Sequence, residues 1–492
     1  MQATAVSGDG WYLDGAGVLH LTGKIENSSK EGDATPWVAY KGQICAVVAE
    51  DGASLTNGAY LFSGCSSLVF VDLDTLKTGG MTSTKYMFYG CRALEALDVS
   101  NLNTSTVTNT SFMFAGCKNL TNLNIDGFDT TYVVNMESMF FGCSSLTELD
   151  VSEFNNQNAQ NMNHVFGECG NLSSLTLGKF VTEKATDLSG MFANCEALTS
   201  LDISGFDTSN VTNLYALFQN CVGLTQIDLS KFVTDKVTDM SSLFEGCSGL
   251  AALDIRRFNT ENVKYFGNMF AGCSGLSALD VSAISTVSAQ SVDGMFTDCS
   301  SLKTLDVSGF DVAGVTGSMT DMFSGCTELA EIRANHGIFA KTASQLLALS
   351  SAWTDVASGT VYSDETALKA AGTVTLKKGV HEKETEPTGT STETDPTETN
   401  PTTTETNPTT TETNPTATDP GDPSSPDTVF GDANEDGAVD MKDVLIMRKY
   451  LAGMDAKCNT QNADVNEDKA VDMKDVLMLR KFLAGLIIQL GA

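Results

Sequence analysis

Ten cysteines fall 26 residues apart, at Cys65, Cys91, Cys117, Cys143, Cys169, Cys195, Cys221, Cys247, Cys273 and Cys299, and Cys326 follows after 27. A fixed period of roughly 20–50 residues marks a stack of like units, since one such unit cannot bury a hydrophobic face alone. Counted from each Cys, apolar residues recur at +3, +6 and +8, as in Leu120, Leu123 and Ile125, and Phe stands at +11 in Phe128, Phe154, Phe180, Phe206, Phe232, Phe258 and Phe310. Another apolar residue precedes a Phe at +22 and +23.

Two periods are mixed within each unit. Around Leu97-Asp98-Val99 the side chains alternate, which predicts a short strand. Positions +16, +19, +23 and the next Cys are spaced 3, 4 and 3 apart, which predicts one face of a helix of under two turns. Residues that cap helices stand at +18 (Ser83, Asn109, Asn135, Asn161, Asp187, Asn213, Asp239, Ser291). Gly64, Gly90, Gly116, Gly142, Gly246, Gly272 and Gly325, with Asn194 and Asn220, precede the Cys and suit the left-handed stop of a helix; Glu168 and Asp298 fill that slot less comfortably. The expected fold class is an α/β leucine-rich-repeat solenoid, with a parallel sheet and short helices.

The pattern Leu-x-x-Leu-x-[Val/Ile/Leu], with Met87–Ser100 carrying Met-Phe-x-Gly-Cys-x-x-Leu-x-x-Leu-Asp-[Val/Leu]-Ser, resembles the repeats of BspA-like bacterial surface proteins. The solenoid then occupies 61–332. Residues 1–60, with Gly10-Trp11-Tyr12-Leu13, are similar to that family's strand-rich opening segment and read as an N-terminal cap. Residues 333–381 lose the period but keep apolar content, which predicts a C-terminal cap.

Eight of the nine prolines lie between Pro387 and Pro426, where Thr-Glu-Thr-Asn-Pro-Thr-Thr repeats at 397–403 and 404–410. Nothing there can build a core, so 382–428 is expected to be a disordered Thr/Pro/Glu-rich linker.

A duplicated motif follows, Asp432-x-Asn434-x-Asp436-Gly437-Ala438-x-Asp440-x-x-Asp443 and Asp464-x-Asn466-x-Asp468-Lys469-Ala470-x-Asp472-x-x-Asp475. Oxygens at loop positions 1, 3, 5, 7, 9 and 12 surround calcium in an EF-hand loop, position 7 through its backbone carbonyl. Gly437 suits the sharp turn at position 6; Lys469 departs from that rule, which predicts a weaker second site. Each loop runs into a helical pattern starting at Val444 or Val476. Two loop–helix copies 32 residues apart resemble a type I dockerin, a small all-α module at 429–492, and there Asp at position 12 is usual. The resemblance implies two calcium ions and calcium-dependent docking into a cohesin module of a scaffolding protein, as in a cellulosome. The partner contacts it implies are Met441, Lys442, Arg448 and Lys449, and Met473, Lys474, Arg480 and Lys481, with docking possible in either of two orientations.

Eleven equivalent cysteines cannot all be nucleophiles, the four histidines are scattered, and no Cys-x-x-Cys occurs. The odd total of 13 and the place of each Cys after a helix stop favour buried reduced thiols over disulfides. Most Phe belong to the core columns, leaving Tyr89, Phe141, Tyr215 and Tyr265 as candidates for exposure. Asp72, Asp98, Asp150, Asp202, Asp228, Asp254, Asp280 and Asp306 share the +7 position and face outward. Neighbours ~4.8 Å apart repel by roughly 0.9 kcal/mol in water. Two roles stay open for that row: support of the scaffold, and binding of cations or a basic partner.

The net charge of -33 argues against nucleic acid, and no apolar run reaches the ~20 residues of a membrane span. No basic and apolar leader follows Met1, so any secretion signal is expected to be already removed or never present. The expectation is a secreted, extracellular, non-enzymatic binding or adhesion protein. Its solenoid offers a protein-binding, long concave surface, and its dockerin ties it to a cellulosome. The alternative is a plant cell-wall polysaccharide-binding module.

Overall fold

A computed structural model describes residues 6–27, 35–317, 319, 321–380, 430–435, 439, 447, 450, 457–466, 469, 471, 475–476, 478–479 and 490. The chain divides into two compact units, Met1–Pro387 and Thr388–Ala492. The linker expected at 382–428 lies outside the described residues.

The first unit is a solenoid of 26-residue coils. Its strand limb carries Phe70–Asp72, Ala96–Asp98, Asn122–Asn124, Glu148–Asp150, Ser174–Thr176 and Thr304–Asp306, at the positions the alternation predicts. Where neighbours pair they run parallel and one period apart, as in Leu97 opposite Leu123.

The opposite limb departs from expectation: it is a run of turns where the 3-4-3 spacing predicts a helix. The reason lies in the backbone. Each coil takes two left-handed residues, one directly before the Cys (Gly90 φ 70°, Glu168 φ 62°, Asn194 φ 60°, Asp298 φ 57°) and one four positions earlier (Tyr86 φ 57°, Ser138 φ 53°, His164 φ 53°, Ala216 φ 55°). Successive N–H groups therefore point alternately within the coil and along the stack. Met113, Ala115 and Cys117 donate to the carbonyls of Thr110, Phe112 and Phe114, three residues back; Phe112, Phe114 and Gly116 donate to Glu137, Met139 and Phe141 of the next coil. Apolar side chains still point inward every three or four residues, which is why the sequence imitates a helix. The residues at +18 do cap, but they cap turns: Asn109 Oδ1 accepts from the Ser111 N–H at 2.9 Å, and the column forms a second parallel ladder from Ser83 to Ser291.

Three side-chain columns fill the stack. Phe62, Phe88, Phe114 and their successors to Phe323 stack with ring centroids 5.3–6.2 Å apart. All eleven repeat cysteines are free and buried, and from Cys91 to Cys326 each thiol donates to the Phe carbonyl of the preceding coil at 3.0–3.2 Å. Burial pushes these thiols up, Cys117 and Cys169 to about 12. The third column is one that the sequence reading did not single out. Thr208, Thr234 and Thr260 are buried, and each hydroxyl both donates to a carbonyl and accepts from the N–H of the same residue one coil on, Thr234 with Asn259 at 2.8 Å each way. Asn156 does the same through its amide with Val181.

Both ends are closed by a tryptophan. At the N-terminal end, strands Val6–Gly8, Trp11–Leu13 and Val18–Leu21 form an antiparallel meander that joins Ala46–Ala49 and then Phe70–Asp72 in parallel. Trp37 is buried there, stacks 6.2 Å from Phe62 and donates its indole N–H to the Leu61 carbonyl. At the other end, Glu331–Ala334 pairs antiparallel with Val374–Lys378, and helix His336–Leu349, capped by Asn335, covers the last coil. Trp353 donates to the Leu346 carbonyl at 2.7 Å, and Gln345 Oε1 accepts from the Phe323 N–H, standing in for the carbonyl of an absent coil.

Candidate functional site

The strand limb carries the Asp row, half-buried at Asp98 and exposed from Asp150 to Asp306; Asp72, expected to face outward with the others, is buried where the N-terminal strands cover it. Asp98, Asp150, Asp202, Asp228, Asp280 and Asp306 each accept through Oδ1 from the N–H two residues on, at 2.8–3.0 Å. Asn124 makes the same turn to Asp126. The Ser204 hydroxyl and N–H, and those of Ser282, hold Asp202 and Asp280 below the usual carboxylate range. These contacts give the row a scaffold role, as local turn formers.

Ladder pairing along the row is intermittent. Among the described residues, ladder pairing joins Asp98 with Asn124, Asp150 with Thr176 and Asp306 with Arg333. Asn124 Nδ2 and Arg333 Nη1 each reach the facing carboxylate at 3.3 Å. No ladder pairing joins two Asp neighbours, whether 72/98, 202/228, 228/254, 254/280 or 280/306. Between 199 and 251 the remaining strand-limb bonds stretch to 3.5 Å, Thr225 to Thr199 and Ala251 to Thr225, while Phe218 to Leu243 on the turn limb stays at 3.0 Å. Pairing lapses also at Asn124/Asp150 and Thr176/Asp202, which charge does not explain.

Tyr89, Tyr215 and Tyr265 are exposed, as the column count predicts, and Phe141 is half-buried. They do not converge: Tyr215 and Tyr265 lie five and seven coils from Tyr89 and occupy different columns. A cluster the sequence reading missed surrounds Tyr89. Tyr60, Tyr86 and Phe112 stack at 4.8 and 4.6 Å, and Tyr89 stands against Tyr86 at 5.2 Å and 62°.

In the second unit, Asp432, Asn434, Asp464, Asn466 and Asp475 are described; the other expected ligands, Asp436, Ala438, Asp440, Asp443, Asp468, Ala470 and Asp472, lie outside the described residues. So do all eight expected partner contacts, Met441, Lys442, Arg448, Lys449, Met473, Lys474, Arg480 and Lys481. Lys469 takes φ 71°, the left-handed turn that position 6 of a calcium loop needs. Its N–H donates to Asp464 Oδ2 at 2.9 Å, and the Asn466 N–H donates to Asp475 Oδ1 at 3.2 Å. Positions 1 and 12 of the second loop are thereby tied to its turn, and Asp475 is fully buried. Between the loops, Asn462 Nδ2 donates to the Asp432 carbonyl, and Asn462 accepts from the Gly431 N–H, both at 2.8 Å. Among the described residues no three His, Cys, Asp or Glu side chains converge as metal ligands, and no helix is long and apolar enough to cross a membrane.

Residues 430–484 match the family described as dockerin type I domain. No curated protein matches the chain. Among solved structures it is similar to a leucine-rich repeat protein of T. pallidum, at 17% identity over 37% of this chain and 83% of that one, with a TM-score of 0.24. It is similar also to a leucine-rich repeat protein of Eubacterium ventriosum, at 14% identity over 67% and 91%, with a TM-score of 0.26. Residues 56–176, 161–252 and 223–336 match the family described as Mycoplasma protein of unknown function, DUF285, over more than half of the chain. The chain belongs to that family of BspA-like leucine-rich repeats and ends in a type I dockerin domain.

Proposed function

We propose that this is an extracellular, non-catalytic binding protein whose dockerin docks into a scaffoldin cohesin when loaded with calcium, and whose solenoid presents a surface to a protein partner. The observation that carries the reading is the duplicated loop, and in particular its second copy. Lys469 breaks the sequence rule for position 6 yet adopts the conformation that rule protects. The donor set is oxygen only, from Asp and Asn side chains and one carbonyl per loop, which suits a hard cation. Two ions are proposed, one on Asp432, Asn434, Asp436, Ala438, Asp440 and Asp443, the other on Asp464, Asn466, Asp468, Ala470, Asp472 and Asp475. Met441, Lys442, Arg448 and Lys449, with Met473, Lys474, Arg480 and Lys481, are the proposed cohesin contacts. The domain limits 1–60, 61–332, 333–381, 382–428 and 429–492 belong to the same reading.

Capture of the full chain on an immobilised type I cohesin tests it. Capture in calcium and release by a chelator is expected; equal capture with and without calcium contradicts the docking mechanism.

A further inference from the structure

Tyr60, Tyr86 and Phe112 occupy one column of left-handed residues, at φ 61°, 57° and 57°. Bulky side chains rarely adopt that conformation. Later coils place Ser138, His164, Gly190, Ala216, Ser242, Asn268 and Gly294 in the same column, so the coil itself does not require an aromatic there. The three rings lie nearly parallel, at 5° and 10°, and so cover one another's faces. Tyr89 meets this stack edge-on, at 62° to Tyr86 and 72° to Phe112. Since the Tyr86 faces are taken, it is the face of Tyr89 that lies across the stacked edges, and Tyr89 is 43% exposed. The Lys85 ammonium lies 5.3 Å from the Tyr60 ring centroid and 5.9 Å from that of Tyr86.

The column of Tyr89 continues with Ala115 and then Phe141. Ala115 is small and buried, so nothing large stands between the two rings. Phe141 lies over Gly167 of the next coil, where a Cβ would meet its Cδ2 at 3.1 Å. Phe141 is half-buried, meets His164 edge-on at 5.9 Å and 69°, and stands two coil spacings from Tyr89, or about 10 Å. Two flat rings at that separation match alternate sugars of an extended chain running along the solenoid. Glu137 and Glu168 carry negative charge into this part of the turn limb, bonded to Asn161 and Asn194. Their charge is opposite to that of Lys85, and it is the chain's net charge of -33 that disfavours a polyuronate.

We infer that the turn limb over Tyr89 and Phe141 is a binding site for an extended neutral polysaccharide, with the two rings as stacking platforms and the Tyr60–Tyr86–Phe112 stack as their rigid support. This goes beyond the protein-binding surface proposed above and lies on the opposite limb from the Asp row.

Affinity electrophoresis of the full chain through gels containing soluble xyloglucan, glucomannan, hydroxyethylcellulose or polygalacturonate tests it. At least one neutral polymer is expected to retard the chain, and polygalacturonate is not. Tyr89→Ala should weaken that retardation at least tenfold, Tyr89→Phe should keep it, and Tyr215→Ala, at an exposed tyrosine elsewhere, should leave it unchanged. Thiol protection in native buffer reports whether each variant is folded; should Tyr89→Ala unfold, Phe141→Ser must show the same loss. The inference is overturned if no neutral polymer retards the wild-type chain, if polygalacturonate retards it as strongly, or if folded Tyr89→Ala binds as the wild type does. Capture of a protein partner without any glycan retardation overturns it as well.

Discussion

The thiol of Cys117 donates to the carbonyl oxygen of Phe88 at 3.2 Å, and the same oxygen accepts the N–H of Cys91 at 3.1 Å. One carbonyl thus closes the turn of its own coil and holds the next. A Cys at this position supplies a small apolar side chain and a donor together, which explains its recurrence without disulfide chemistry. A thiol reagent should therefore find 13 groups in denaturant. In native buffer only Cys45 and Cys458, which are not fully buried, should react quickly. Cys195→Ala should lose about 1–2 kcal/mol from the space it leaves, since the Phe166 carbonyl loses its thiol donor.

The buried thiols also set an alkaline limit. Cys65, Cys117, Cys169, Cys247 and Cys326 are pushed by burial to about 12 from an ordinary 9.0. The unfolded chain releases these protons first, so the folded state binds more of them between those values. Stability is fully present below pH 9 and is lost as pH rises toward 12, by about 1.4 kcal/mol per pH unit for each thiol. Alkaline denaturation followed by circular dichroism should be steep and should start near pH 9. Replacing several row cysteines with Ala should flatten it.

Asp228 shares the +7 row with Asp202 and Asp254, one coil away on either side. Asp228→Asn keeps a turn former, as Asn124 shows, and removes both repulsions. We expect a gain of roughly 0.5–1 kcal/mol in urea denaturation at low salt, shrinking at about 1 M salt, where the screening length is ~3 Å. A destabilised variant would contradict repulsion along the row.

Thr234 and Thr238 lie four residues apart and differ in kind. Thr234 is buried and clamps both backbone groups of Asn259; Thr238 is half-buried and donates to the Thr212 carbonyl at 3.2 Å. Thr234→Val should cost about 1–3 kcal/mol, because its partners lose their bonds without gaining water. Thr238→Val should change stability by no more than about 0.5 kcal/mol.

What the sequence made legible was whatever repeats in one residue type. The Cys, Phe and Asp columns, the left-handed slot before each Cys and the capping residues at +18 all stand where the spacing puts them. The turn limb was misread because Met113, Phe114 and Cys117 point inward at helical intervals, whether or not the backbone between them is helical. The second left-handed column went unseen because only Gly190 and Gly294 there are glycine, and the others range from Tyr86 to His164. The Thr column recurs at Thr104, Thr130, Thr182, Thr208, Thr234, Thr260 and Thr286, broken by Asn156, yet a Thr beside a turn reads as loop polarity until its burial is known. The aromatic cluster breaks the period, with Tyr86 and Phe112 followed by Ser138, so no column count finds it.

Lys469 is where residue type and geometry part most clearly. Its side chain predicts a poorer calcium turn; its φ of 71° and its N–H bond to Asp464 give the turn regardless. Calorimetric titration of calcium into the metal-free full chain is the direct test of two loaded loops. The account predicts two ions per chain, one in Asp464→Ala, and tighter binding at the second site in Lys469→Gly, where the left-handed residue carries no Cβ. A single ion in the wild-type chain, unchanged by Asp464→Ala, would contradict it.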